Sequence, residues 1–193
     1  MAGSRIFVQE GIYDEFLTAF TAFAADLTAH TGDPFAAGNK HGPQVSKAQF
    51  DVCHYPFPLH CVLVQLGFFY QRIMSYIESG KEAGATVQYG GERNGNEGYF
   101  IKPTIFTNIH ADMKIVKEEI FGPVAVVIKF KEEAEVVEMA NDTTYGLGAH
   151  IFTQNVNRAV RVAHTVEAGT TWVCHFFFRL GVSSELTIYF FSR

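Results

Sequence analysis

Val124-Ala125-Val126-Val127-Ile128 is an unbroken run of small and β-branched apolar residues. A strand with one wet face alternates apolar and polar side chains. A run without alternation is expected of a strand covered on both faces, which is the environment of a parallel sheet between helices. The sequence downstream keeps to that plan. Glu132 to Asn141 reads as a helix, with acidic residues in the first turn, where the helix dipole favours them. Tyr145-Gly146-Leu147-Gly148 leads into a strand at Ala149-His150-Ile151-Phe152. Asn157 to Glu167 is helical and stops at Gly169, and Thr170-Thr171-Trp172-Val173 forms another strand. From Val124 onward the order is strand, helix, strand, helix, strand. That order predicts an α/β domain with a largely parallel sheet flanked by helices.

Upstream the signals are shorter. Ile6-Phe7-Val8-Gln9 is strand-like and follows Met1 almost at once. Tyr13 to His30 carries Phe16, Phe20, Phe23 and Leu27 at helical spacing, and Gly32-Asp33-Pro34 and Gly38 then mark a loop. Arg72 to Ala85 reads as a second helix with Ile73, Tyr76 and Ile77 on one side. Thr86 to Tyr89 alternates like a short strand, Gly90 to Gly95 is a turn, and Tyr99 to Phe106 is a strand interrupted at Pro103.

The 193 residues are 48% hydrophobic and 18% charged, with a formal net charge of -5, enough chain to bury a sizeable core. Mild acidity with scattered Lys and Arg leaves no basic footprint, so nucleic acid is not an expected partner. No basic leader with a long apolar run opens the chain, so no secretory signal is read, and Asn141-Asp142-Thr143 carries little weight as a glycosylation acceptor. Three cysteines argue against a disulfide framework and for a reducing compartment, here the cytoplasm. A mitochondrial address would precede Met1.

Two stretches break the pattern. Residues 52–71 (VCHYPFPLHCVLVQLGFFYQ) contain no Asp, Glu, Lys or Arg, and residues 174–193 (CHFFFRLGVSSELTIYFFSR) contain three. Together they hold all three cysteines, Cys53, Cys61 and Cys174, and eight of the 19 Phe. Both begin Val-Cys-His, at Val52-Cys53-His54 and, one residue before the second stretch, at Val173-Cys174-His175. Deleting 52–71 joins Gln49-Phe50-Asp51 to Arg72-Ile73-Met74 in one continuous helix. Val-Cys can be encoded from a GT donor, and Gln71 from a CAG acceptor after aromatic codons rich in pyrimidine. These features are expected of translated introns. The stretch 52–70 is a poor membrane span, because two prolines, two histidines and a glutamine interrupt it. Cys53-His54 and His60-Cys61 have zinc-ligand chemistry, but nothing in the sequence orients them, so no metal site is expected. Cys174-His175 could form a thiolate pair, but the reading as a tail cysteine without an organised partner is favoured.

Lys117-Glu118-Glu119-Ile120-Phe121-Gly122-Pro123 resembles the E-E-I-F-G-P signature of the NAD(P)-dependent aldehyde dehydrogenases. AGSRIFVQEGIYDEF, GPQVSKAQFD, RIMSYIESGKEAGATV, GYFIKPTIF, NDTTYGLGAHIFT and AGTTWV resemble the same family, in order, from Ala2 to Val173. The resemblance implies residues 1–173 as part of that family's catalytic domain, interrupted at 52–71, with 174–193 an unrelated tail. It implies NAD or NADP as cofactor, an aldehyde as substrate, homo-oligomers among full-length relatives, and neither nucleic acid nor a membrane as partner. Glu119 would accept hydrogen bonds from the nicotinamide-side ribose hydroxyls. Phe121 would pack beside that ribose, and Gln49 would lie near the same end of the cofactor. Read alone, a Glu-Glu pair before an apolar run is a solvated strand entrance, and Phe121 suits a core position equally.

In that family a cysteine thiolate attacks the aldehyde, hydride passes to the nicotinamide, and a glutamate-activated water hydrolyses the thioester. Backbone N–H groups and an asparagine amide stabilise the oxyanion. The nucleophile is expected one residue before Met1. The general-base glutamate, the oxyanion asparagine and the dinucleotide-binding half are likewise expected outside these residues, and no G-x-G-x-x-G occurs. No catalytic residue is therefore assigned within the chain. The expected function is that of a fragment of an aldehyde-oxidising enzyme. The alternative is an inactive or mis-spliced product that at most associates with intact subunits.

Overall fold

A computed structural model describes residues 3–44, 73–174 and 187–191. The elements in chain order are β1 (Gly3–Gln9), α1 (Tyr13–Ala29), α2 (Ile73–Glu82), β2 (Thr86–Tyr89), β3 (Thr104–Thr107), α3 (Lys114–Lys117), β4 (Val124–Phe130), α4 (Glu133–Asn141), β5 (Gly148–Phe152), α5 (Val156–Thr165), β6 (Thr170–Cys174) and β7 (Thr187–Phe191). A 3₁₀ turn, Glu10–Ile12, joins β1 to α1.

The seven strands form one sheet in the order β2-β3-β4-β1-β7-β5-β6. β3, β4 and β1 are mutually parallel neighbours, as are β5 and β6. β7 runs antiparallel to both β1 and β5, and β2 runs antiparallel to β3. Five strands therefore point the same way, the largely parallel α/β arrangement expected from the alternation after Val124. β7 comes from the stretch read as an unrelated tail, for which no strand was expected, and it lies inside the sheet rather than beside it.

β4 shows why its sequence lacks alternation. Val126 packs in a cluster with Ile73, Tyr76, Ile77, Phe106, Ile115 and Ile120. Its neighbour Val127 faces the other side, among Ile6, Val8, Phe16 and Ile105. Both are almost fully buried. Successive side chains of a strand point to opposite faces, so both faces of β4 are covered. A third cluster joins Phe7 and Phe130 to Val136 and Ala140 of α4, Ala149 and Ile151 of β5, and Val162 of α5.

Helix ends follow local chemistry. The Glu135 side chain reaches back to the N–H groups of Lys131 (2.9 Å) and Glu132 (3.3 Å), closing a capping box at α4. Asn155 caps α5 by accepting from the Arg158 N–H at 3.0 Å. The Asn141 side chain ties the ends of α4 and α5 together. Its amide donates to Thr165 O, and its oxygen accepts from Glu167 N–H, both at 2.9 Å.

Among the described residues no helix is long and apolar enough to cross a membrane. Cys53, His54, His60 and Cys61, at which no metal site is expected, lie outside the described residues, as does Gln49.

Candidate functional site

The loop Glu118 to Pro123 enters β4, and each of its residues is fixed differently. Glu118 has extended backbone (φ −115°, ψ 154°) and donates its N–H to Lys114 O at 3.0 Å. Its carboxylate accepts from the Tyr76 hydroxyl at 2.8 Å. Ile120 is buried in the cluster with Ile73, Tyr76 and Ile115. Gly122 lies against Ile73 so closely that a Cβ would run into that side chain. Pro123 O accepts from Thr104 N–H at 2.7 Å, joining the loop to the start of β3.

Glu119 and Phe121 differ from these neighbours in what their side chains present. Glu119 is half-buried, and its Oε1 is shielded from solvent with no hydrogen-bond partner among the described residues. A shielded carboxylate oxygen without a donor is unfavourable by about 1–3 kcal/mol or more, so it fits a ligand that brings donors. A vicinal diol is such a ligand. Phe121 is 58% exposed and has φ of +53°. A bulky L-residue in the left-handed region costs on the order of 1–3 kcal/mol, and such positions cluster at functional sites. That twist turns the ring outward while Ile120 stays in the core, so the core reading of Phe121 does not hold.

The loop lies at one end of the sheet. Thr104 is in register with Val124, and Arg5 with Val126, so β1, β3 and β4 all begin near Glu119 and Phe121. The start of β1 at Gly3 is thus at the same end as the candidate cofactor wall. Cys174, half-buried, ends β6, which is parallel to β5 and has the same sense as β4. It is consequently at the opposite end of the sheet from Glu119. Its carbonyl accepts from Thr153 N–H at 3.1 Å. His175, its neighbour in sequence, lies outside the described residues. Among the described residues no group of three or more His, Cys, Asp or Glu is arranged to hold a metal.

The sequence pattern of the family described as the Aldehyde dehydrogenase family matches residues 1–55 and 69–180. The chain belongs to the aldehyde dehydrogenase family. An aldehyde dehydrogenase of Agaricus bisporus is 55% identical over 172 residues, covering 89% of this chain and 30% of the relative. One of Emericella nidulans is 50% identical over the same length. Among solved structures, betaine aldehyde dehydrogenase of Staphylococcus aureus in complex with NAD+ is 34% identical with a TM-score of 0.75, over 89% of this chain and 31% of that one. A Bacillus cereus aldehyde dehydrogenase variant gives a TM-score of 0.76 at 34% identity, over 98% of this chain and 39% of that one. The chain spans about 30% of the length of the relatives it matches. The break in the family match, between 55 and 69, falls within the charge-free stretch, and the match ends before β7.

Sequence reasoning singled out Glu119 and Phe121 but not what holds the loop around them. Tyr76, Ile73 and Gly122 form that support. The available signal was a tyrosine on the apolar side of α2, since a buried tyrosine hydroxyl needs a partner.

Proposed function

We propose that this aldehyde dehydrogenase chain supplies the nicotinamide-ribose wall of an NAD(P)-dependent active site and does not itself carry the nucleophile. The observation that carries the reading is the partnerless, shielded Oε1 of Glu119 beside the outward-turned Phe121. A carboxylate oxygen accepts from a ribose hydroxyl, and an exposed ring limits where the nicotinamide can lie. NAD(P), when bound, supplies the hydride acceptor. This chain's residues bind and orient it and exclude water on one side. The whole protein is read as oxidising aldehydes to carboxylic acids through a cysteine thioester, with the cysteine one residue before Met1. The proximity of the β1 start to the Glu119 loop supports that placement. The position of Cys174 at the other end of the sheet argues against it as a substitute. Cysteine usage makes the cytoplasm our proposed location.

The test is to incubate the purified chain with NAD and a simple aldehyde and follow NADH absorbance. No turnover is expected. Turnover abolished by thiol alkylation would overturn the assignment of the nucleophile to residues outside the chain. Retention of the chain by an intact relative, without turnover, would favour the non-enzymatic reading of an associating fragment.

A further inference from the structure

We propose that Tyr76 is the positioning residue of the cofactor wall: by holding Glu118 it leaves Glu119 as the carboxylate that meets the ribose. The inference rests on the reading of Glu119 given above.

Two adjacent glutamates offer two interchangeable acceptors, and the structure distinguishes them. The Tyr76 ring is 1% exposed and packed among Ile73, Ile77, Ile115 and Ile120. Its hydroxyl donates to Glu118 Oε2 at 2.8 Å. Lys114 Nζ stands 4.9 Å from the centre of the same ring. Lys114 is the first residue of α3 and Glu118 follows its last, and the Glu118 N–H donates to the Lys114 carbonyl. Tyr76 therefore engages both ends of the turn that feeds the loop, with a cation over its face and a carboxylate at its edge. Because the backbone at Glu118 is extended, the Glu119 side chain departs on the other side of the chain. Fixing Glu118 on Tyr76 fixes that departure.

The hydroxyl is well suited to this. Burial first, and then the hydrogen bond to Glu118, push its ionisation far above the ordinary tyrosine range, so it remains a donor. A phenylalanine at 76 would keep the packing and remove only the donor.

The experiment has two arms on the full chain. Hydrogen exchange is read at the Glu118 and Val124 amides, which donate to Lys114 O and Gly122 O, and at the β4 amides beyond them. Tyr76→Phe is expected to speed exchange at the loop amides about tenfold, the loss of one charge-assisted hydrogen bond, with the β4 interior unchanged. Glu118→Gln in the Tyr76→Phe background should add little, because both changes break one contact. Unchanged loop exchange, a parallel rise through β4, or full additivity of the two substitutions would each overturn the role of Tyr76. In the second arm, saturation-transfer NMR follows the ribose protons of nicotinamide mononucleotide. Glu119→Gln should abolish the ribose signal and leave loop exchange as in the parent chain, and Tyr76→Phe should weaken that signal. If Glu119→Gln leaves the mononucleotide signal unchanged, the cofactor reading fails, while the exchange arm still decides whether Tyr76 holds the loop. If Glu119→Gln removes the signal and Tyr76→Phe does not weaken it, the positioning role alone fails.

Discussion

Gly122→Ala is the sharpest perturbation of the wall that leaves its polar groups intact. The added Cβ would stand 2.6 Å from Ile73 Cγ1 and 2.9 Å from Cγ2, and closer still to Cδ1. These atoms belong to a fully buried side chain at the first residue of α2, so no flexible tip can swing aside. Either α2 or the loop must move, and overpacking of this kind costs about 1–3 kcal/mol. With a urea dependence of about 2 kcal/mol per molar, the unfolding midpoint should fall by about 0.5–1.5 M. Ile73→Ala alone should cost about 2–5 kcal/mol through the cavity it opens. In that background the Gly122→Ala methyl enters the vacated space, so its cost should vanish or reverse. Pulse proteolysis of labelled, in vitro translated chain at nanomolar concentration reads the folded fraction without competition from association. Equal destabilisation by Gly122→Ala in both backgrounds would refute the collision with Ile73 as the reason for glycine.

Four further outcomes follow from contacts described above. Asn141→Ala removes both bonds joining the ends of α4 and α5 and should cost about 1–3 kcal/mol in the same assay; a neutral effect would show that water replaces the side chain. Glu133 is held below the usual carboxylate range first by its hydrogen bond from Arg161, against desolvation, with help from the charges of Arg161 and Arg158. A depressed carboxylate stabilises the fold above its unfolded value of about 4.3 and loses that contribution as pH falls through the lower folded value; Arg161→Ala should flatten this acid limb, and an unchanged pH profile would count against it. The charge-free stretch 52–71 should make the chain self-associate at micromolar concentration, so sedimentation should show large species that disappear when that stretch is deleted. Transcript reads should splice across the codons of 52–71 and beyond Val173; reads continuous through both in translated messenger would remove the intron reading.

How much of this was legible depended on how local the deciding interaction is. β4 was readable because burial on both faces writes itself into five consecutive residues. α4 and α5 were readable to within a residue or two at each end, α4 with its acidic first turn and α5 with its stop before Gly169. α3, four residues long, is too short to carry a period, and it was missed. β7 has strand-forming residues, Thr187-Ile188-Tyr189-Phe190-Phe191, but its place between β1 and β5 depends on partners far away in sequence. The same division runs through the site. Glu119 and Phe121 lie in a motif that can be read in line, although only the backbone twist at Phe121 separates wall from core. The role of Tyr76 comes from a hydrogen bond to a residue 42 positions away, and no local pattern announces it.

The position of β7 also bears on how the sheet comes together in time. β5 with β6, and β3 with β4, pair over short stretches of chain, so these pieces can form early. The sheet closes only when β7 enters between β1 and β5, where Gly3 meets Phe191, the widest sequence separation among the described strand pairs. Until that step two inner strand edges face water, and for that interval the nascent sheet can accept a strand from another molecule as readily as its own. The slowest step of assembly and the step most open to competition are therefore the same one.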